Sequence, residues 1–174
     1  MHDIPVTSIP YSAFQGQYDI TSIIIPDSVT EIGLRAFKYC YDLTSVTIGN
    51  SVTYINPETF LGCEKLKSVT IGNSVEGIES YAFAGCSALT EITIPNSVTF
   101  IGFCAFKNCS NLNNITIPNS VKTIDTSPFM GCSHLSNLKY SGTKDEWSSV
   151  KTLLYWEDGF PALVVHCSDG DVPI

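Results

Sequence analysis

The chain has 174 residues, of which 44% are hydrophobic, enough length and apolar content for one globular domain with a real core. Its formal net charge is −8 and Arg35 is its single arginine, so it lacks the basic face that nucleic-acid phosphates or an anionic membrane surface require. No apolar run approaches the ~20 residues of a membrane span, so no membrane insertion is expected, and no signal peptide is read in residues 1–30.

A phenylalanine returns every 23 residues from the start of the chain: Phe14, Phe37, Phe60, Phe83, Phe106 and Phe129. A cysteine follows three positions later in five of the six rows, as Cys40, Cys63, Cys86, Cys109 and Cys132. The first row is degenerate, with Gln17 in the cysteine column and Ile20 in the leucine column. Constant spacing of this kind belongs to a stacked backbone, in which each coil lays its side chains over those of the last.

Each row divides into the same pieces. Leu43, Val46 and Ile48 recur as Leu66, Val69 and Ile71, then Leu89, Ile92 and Ile94, then Leu112, Ile115 and Ile117. The last two of each set flank a threonine, so the period is two and the segment reads as a strand with one buried face. Identical strands one row apart stack in parallel about 4.8 Å apart. Gly or Pro, then Asn or Asp, then Ser forms the turn that follows, as in Gly49-Asn50-Ser51 and Pro95-Asn96-Ser97. Val52 with Ile55, repeated through Val121 with Ile124, predicts a short second strand. An arc through Ala-Phe, such as Ala82-Phe83, then leads to the cysteine as a short helical or 3-10 turn. The Phe, Leu, Val and Ile columns are core.

The cysteines form a file, one per coil, with no C-x-x-C pair, whereas a metal needs ligands that converge. The ladder is expected to consist of reduced, buried thiols that act as small hydrophobes. Cys104 lies outside it, in the column of Arg35, Glu58 and Tyr81, and is expected to be exposed. Cys167 lies in the tail, and a Cys104–Cys167 bond is left open.

The period breaks after Tyr140. Thr143-Lys144-Asp145-Glu146 has the form of a capping box and predicts a helix from about Lys144 to Leu153. Residues Ala162–Cys167 read as a last strand and Ser168–Asp171 as a turn. Trp147 and Trp156 are expected to close the apolar end of the stack. The domain division is therefore a solenoid over 1–140 and a helix-strand cap over 141–174, in one structural domain.

Residues 20–135 resemble leucine-rich repeats of the BspA-like class, found in bacterial surface proteins and some protozoan parasites. The resemblance rests on the motif I-P-N-S-V-x-x-I-G-x-x-A-F-x-x-C-x-x-L, which Ile94 through Leu112 match. The tail from Tyr140-Ser141-Gly142-Thr143 through Trp147 to His166-Cys167-Ser168-Asp169-Gly170 is similar to the usual ending of that class. It implies a β-rich, right-handed solenoid of about six 23-residue coils with a parallel sheet. Ser51 stands where the commoner leucine-rich pattern has Asn, and Thr53 where it has Leu, so the convex side is expected to carry short strands or 3-10 turns instead of long helices.

Function in such an array belongs to variable columns that face solvent. On the strand face these are Ser45, Ser68, Glu91, Asn114 and Asn137, beside Thr47, Thr70, Thr93, Thr116 and Lys139. They present hydroxyls and amides that suit an extended peptide or a glycan, although threonine also simply suits an exposed strand. Tyr54, Tyr81, Phe100 and Phe103 form a second candidate, either an aromatic interaction patch or packing within the convex loops.

Catalysis finds little support. His2, His134 and His166 are the only histidines, no Ser, Cys or Asp has triad spacing, and Gly49 and Gly72 are turn residues, not a phosphate loop. Asp169-Gly170-Asp171 offers too few oxygens for calcium, so no metal and no cofactor are expected. The sequence points to a non-enzymatic scaffold for protein or carbohydrate. The resemblance implies a cell-surface or secreted setting, with adhesion to host proteins or other cells. The alternatives are a structural spacer within a larger surface protein and, more remotely, an enzyme with a Cys104 nucleophile. With no leader read at its start, an intracellular protein or a trimmed piece of a longer one also stands. The first coil lacks an evident cap and is expected to pair with another chain or a longer N-terminus.

Overall fold

The computed structural model describes residues 6–162 and 164–174. In chain order its elements are β1 (Ser8–Ile9), β2 (Ser22–Ile25), β3 (Glu31–Ile32), β4 (Ser45–Ile48), β5 (Tyr54–Ile55), β6 (Ser68–Thr70), β7 (Gly77–Ile78) and β8 (Glu91–Thr93). They continue as β9 (Phe100–Ile101), β10 (Asn114–Ile117), β11 (Thr123–Ile124), β12 (Asn137–Tyr140), α1 (Lys144–Ser148), β13 (Lys151–Thr152), β14 (Val164–Cys167) and β15 (Gly170–Pro173). The result is a parallel-strand β-solenoid of about 7 turns with almost no helix.

The longer strands β2, β4, β6, β8, β10, β12 and β14 form one side of the coil. The short strands β1, β3, β5, β7, β9, β11 and β13 form the other, where the sequence predicts short strands. Within the repeats every pairing is parallel and joins residues 23 apart: Ser8 to Glu31, Val46 to Val69, Ile78 to Ile101, Ile115 to Leu138. The same 23-residue step thus recurs on both sides, although no ladder joins β3 to β5 or β6 to β8.

The core is the file of repeated apolar columns. Phe37, Phe60, Phe83, Phe106 and Phe129 are fully buried, while Phe14 at the end of the stack is 36% exposed. From Phe14 to Phe106 consecutive rings lie 5.2–5.5 Å apart and within about 11° of parallel. A buried Phe contributes about 3–5 kcal/mol against Ala.

The arc that carries each Phe alternates its hydrogen bonds. The amides of Ala36, Lys38 and Cys40 close tight turns on the carbonyls of Gly33, Arg35 and Phe37. The amides of Arg35, Phe37 and Tyr39 instead reach the next coil, at Pro57, Thr59 and Leu61. Turning every second amide outward needs two left-handed residues per coil. These are Arg35 and Tyr39, then Glu58 and Gly62, then Tyr81 and Gly85, then Cys104 and Asn108. The second column is often glycine, which takes positive φ at no steric cost; the first is not.

The C-terminal segment winds one further, longer turn. Thr123 pairs with Lys151 and Leu138 with Val165, steps of 28 and 27 residues instead of 23. The extra length is taken up by α1, whose Thr143–Glu146 capping box forms as its sequence predicts. The helix ends at Ser148, not near Leu153. The Ser148 and Ser149 hydroxyls bond back to the Lys144 and Asp145 carbonyls, and Lys151 and Thr152 leave to extend the sheet beside β11.

The expected final strand begins at Val164, and Leu163 lies outside the described residues. An antiparallel strand that the sequence reading lacks, β15, pairs with β14 and covers the sheet edge. Trp147 is buried, and a chain of rings runs from Tyr140 through Trp147 and Trp156 to Phe160, which meets Phe129 edge-on at 5.7 Å. The tryptophans thus sit as the expected lid. No described helix is long and apolar enough to cross a membrane.

Candidate functional site

Strand alternation puts Val46 and Ile48 into the core and turns their neighbours outward. Thr47, Thr70, Thr93, Thr116 and Lys139 are all exposed; Thr47 pairs with Thr70 in one sheet, and Thr93, Thr116 and Lys139 pair in register in the next. Beside them Ser68, Glu91 and Asn114 are exposed, while Ser45 and Asn137 are half-buried. The structure thus brings all ten strand-face residues onto one side of the solenoid, as two parallel files. The Asn137 side-chain amide donates to Asn114 Oδ1 at 2.8 Å, so the amide end of one file is tied together.

The character of the face changes along its length. Ile24 opens the threonine file and is 80% exposed. The middle coils carry hydroxyls. The far end is charged: His166 follows Lys139 in register and bonds Asp171 Oδ1 through Nδ1 at 2.8 Å.

The four aromatic candidates are distributed over two surfaces. Tyr54 is exposed on β5, lies over Gly77 and donates its hydroxyl hydrogen bond to Glu76 at 3.2 Å. Phe100 is half-buried on β9. Tyr81 and Phe103 lie on the arc and meet edge-to-face at 5.2 Å.

Cys104 is not exposed. It is 2% accessible, because it takes the left-handed position of its arc and Tyr81 lies against it from the preceding coil. Burial pushes its thiol above the ordinary value, and the Tyr81 hydroxyl offsets this only in part. A thiol held protonated is a poor nucleophile. All seven cysteines are free, Cys104 and Cys167 among them.

The ladder thiols do more than fill space. Each donates a hydrogen bond to the phenylalanine carbonyl of the coil before: Cys40 to Phe14, Cys63 to Phe37, Cys86 to Phe60, Cys109 to Phe83 and Cys132 to Phe106, at 3.1–3.4 Å. Burial holds the Cys63, Cys86 and Cys109 thiols far above their usual range.

Two further surfaces escaped the sequence reading. Near the N-terminal end Tyr18 stacks on Tyr41 at 5.7 Å and Tyr39 on Tyr41 at 5.8 Å, with Lys38 Nζ 5.0 Å from the Tyr39 ring. The 23-residue step from Tyr18 to Tyr41 was the available signal. On the convex arc a groove of about 380 Å³ is lined by Glu58, Leu61, Tyr81, Ala84, Gly85 and Lys107, with Asn108 at its edge. Glu58 accepts from Arg35 at 2.8 Å and from Lys38 at 2.5 Å, and the Arg35 hydrogen bond foremost holds its carboxyl below the usual range. Among the described residues no three His, Cys, Asp or Glu side chains converge as a metal site would need, and His2 lies outside those residues.

A family model described as BspA type leucine-rich repeat region matches residues 7–136 in six copies. A leucine-rich cell surface protein of Faecalibacterium prausnitzii superposes with a TM-score of 0.62 at 26% identity, covering 84% of this chain and 54% of its own. The leucine-rich repeat protein of T. pallidum gives 0.76 at 29% identity, over 81% of this chain and 68% of its own. One from Eubacterium ventriosum gives 0.71 at 30% identity, over 75% and 35%. The chain thus spans about half the length of the Faecalibacterium protein and about a third of the Eubacterium one. No curated protein sequence matches the chain.

Proposed function

The chain belongs to the BspA-type leucine-rich repeat family, and we propose that it is a non-catalytic scaffold that binds protein or carbohydrate on its polar strand face. The carrying observation is the pair of solvent-facing files from Ser45 to Asn137 and from Thr47 to Lys139, set at a 23-residue step on two parallel sheets. Where the strands pair, the backbone ladder fixes the spacing of these hydrogen-bonding groups before a ligand arrives, so less ordering is left to binding.

The setting we assign is the cell surface, in adhesion or host interaction. It rests on family membership and on the similar Faecalibacterium protein described as a cell surface protein. A glycan array and a pull-down against extracellular-matrix proteins test the reading. Micromolar binding to either class is expected. Silence in both moves the chain to a spacer that holds other domains in place.

A further inference from the structure

The strand face is not one continuous sheet. Hydrogen bonds join β2, β4 and β6 into one sheet and β8, β10, β12, β14 and β15 into another, but no ladder bond joins β6 to β8. The break is local. Ala88 still donates to the Glu64 carbonyl at 3.0 Å before it, and Thr99 to Glu76 at 2.8 Å after it. The opposite side runs unbroken past this level through β5, β7, β9, β11 and β13.

Core burial records the same opening. Val46, Ile92 and Ile115 are 2–5% exposed, whereas Val69 in the same column is only half-buried. A cleft of about 170 Å³ lies there, lined by Lys67, Ser68, Val69, Thr90, Glu91 and Thr93 among others. It gathers two strand edges without a ladder partner, three hydroxyls, one carboxylate and one ammonium around a small apolar floor.

Resting on the scaffold reading, we propose that this seam is the anchoring site of the face and that its ligand is a neutral glycan running along the solenoid axis. The spacing selects the class. Within each sheet, on either side of the seam, successive hydroxyls along the threonine file are one strand apart, about 4.8 Å, while an extended peptide advances about 3.3 Å per residue and falls out of step. One pyranose ring of an equatorially linked chain is close to one coil step. The charge balance agrees: Glu91 and Lys67 offset one another at the cleft, and the flanking Ser45, Thr47, Thr70, Asn114 and Thr116 are uncharged. A sugar in the cleft would present hydroxyls that both donate to Glu91 and accept from Lys67, a pairing that a single-charge ligand does not satisfy.

The test is an amide-shift titration of the folded chain with neutral hexasaccharides of glucose, mannose and N-acetylglucosamine. Alongside it, Ser68→Ala, Glu91→Ala and Thr93→Val are compared after their urea midpoints confirm folding. At least one hexasaccharide is expected to shift the amides of Ser68–Thr70 and Glu91–Thr93 most, with affinity falling about tenfold for Glu91→Ala. Shifts centred elsewhere, or affinity unmoved by all three substitutions, overturn the seam but leave the scaffold reading standing. Silence with all three sugars overturns the glycan proposal. If the matrix-protein pull-down is positive in that case the scaffold binds protein, and if it is also silent the scaffold reading falls too.

Discussion

The Cys63 thiol donates to the Phe37 carbonyl of the preceding coil at 3.2 Å, and the Cys40 amide meets the same oxygen at 3.2 Å. Two donors, one from each coil, converge on one buried carbonyl. The cysteine column is therefore tied to the phenylalanine column by chemistry as well as by spacing. A small hydrophobe alone would leave the second lone pair of each oxygen without a partner.

This fixes an order of stabilities at Cys109, whose thiol serves the Phe83 carbonyl. Cys109→Ala loses a hydrogen bond and opens a small cavity, about 1–2 kcal/mol together. Cys109→Ser keeps a donor and is expected to lose less. Urea unfolding measures both. Were the column merely apolar, the serine variant would be the less stable of the two.

The left-handed arc makes Gly85 sensitive for a conformational reason. Its φ is +75°, and a Cβ placed there would come no nearer than 3.4 Å to Gly62. Space is available, so Gly85→Ala is opposed only by its backbone, at about 1–2 kcal/mol. Asn108→Gly, at the same column with φ 58°, is expected to be near neutral. Thermal unfolding of the two variants checks the contrast.

Two glutamates predict opposite pH responses. Glu58 is held below the ordinary carboxylate value by Arg35 and Lys38, so its contribution is present above the unfolded value and is lost as pH falls through the folded one. Glu79 is pushed up by burial and then by Asp125. Its charged form opposes folding, and that opposition disappears as pH falls through its raised value. Glu58→Gln is expected to destabilise at neutral pH by about 1 kcal/mol or less, since the ion pairs are partly solvated. Glu79→Gln is expected to stabilise at neutral pH and to remove the gain on mild acidification. Urea midpoints over the acidic range separate them.

Thiol accessibility follows from burial. Cys104 and the five ladder cysteines are almost wholly inaccessible, while Cys167 is half-buried in β14. Ellman titration of the folded chain is expected to find one reacting thiol, lost in Cys167→Ser, and seven after denaturation. Fast reaction at Cys104 would restore it as a nucleophile.

Much of the coil is legible in the sequence because a constant step leaves a parallel stack few alternatives. Phe37 must lie under Phe60, and Val46 must pair with Val69. What escapes is whatever breaks the period or hides beneath it. Arg35, Glu58 and Tyr81 differ in chemistry yet share one left-handed conformation, imposed by amides that reach the next coil. Cys104 follows them in that column and is buried by its neighbour, not by its own pattern. At the seam, Ser68-Val69-Thr70 repeats Ser45-Val46-Thr47 letter for letter, so composition gives no warning that β6 ends a sheet. The two strand-face files were legible as columns, whereas the cleft within them was not.

That difference between repeated form and local exposure allows stability and binding to be separated. Thr70 is exposed and makes no side-chain hydrogen bond to the next coil among those described, so Thr70→Val keeps a β-branched residue in a register set by the backbone. Its unfolding midpoint is expected to stay within about 0.5 kcal/mol of the parent. A ligand that uses the file loses one hydroxyl and leaves its own polar group facing a methyl, about 1–3 kcal/mol of affinity. Thr47→Val and Thr116→Val, one coil beyond the seam on either side, are expected to weaken binding less as distance from Ser68 and Glu91 grows. Calorimetric titration of the three variants reads that gradient. An even loss across all three would place the ligand along the whole file with no anchor, and no loss at any would return the threonines to plain strand formers.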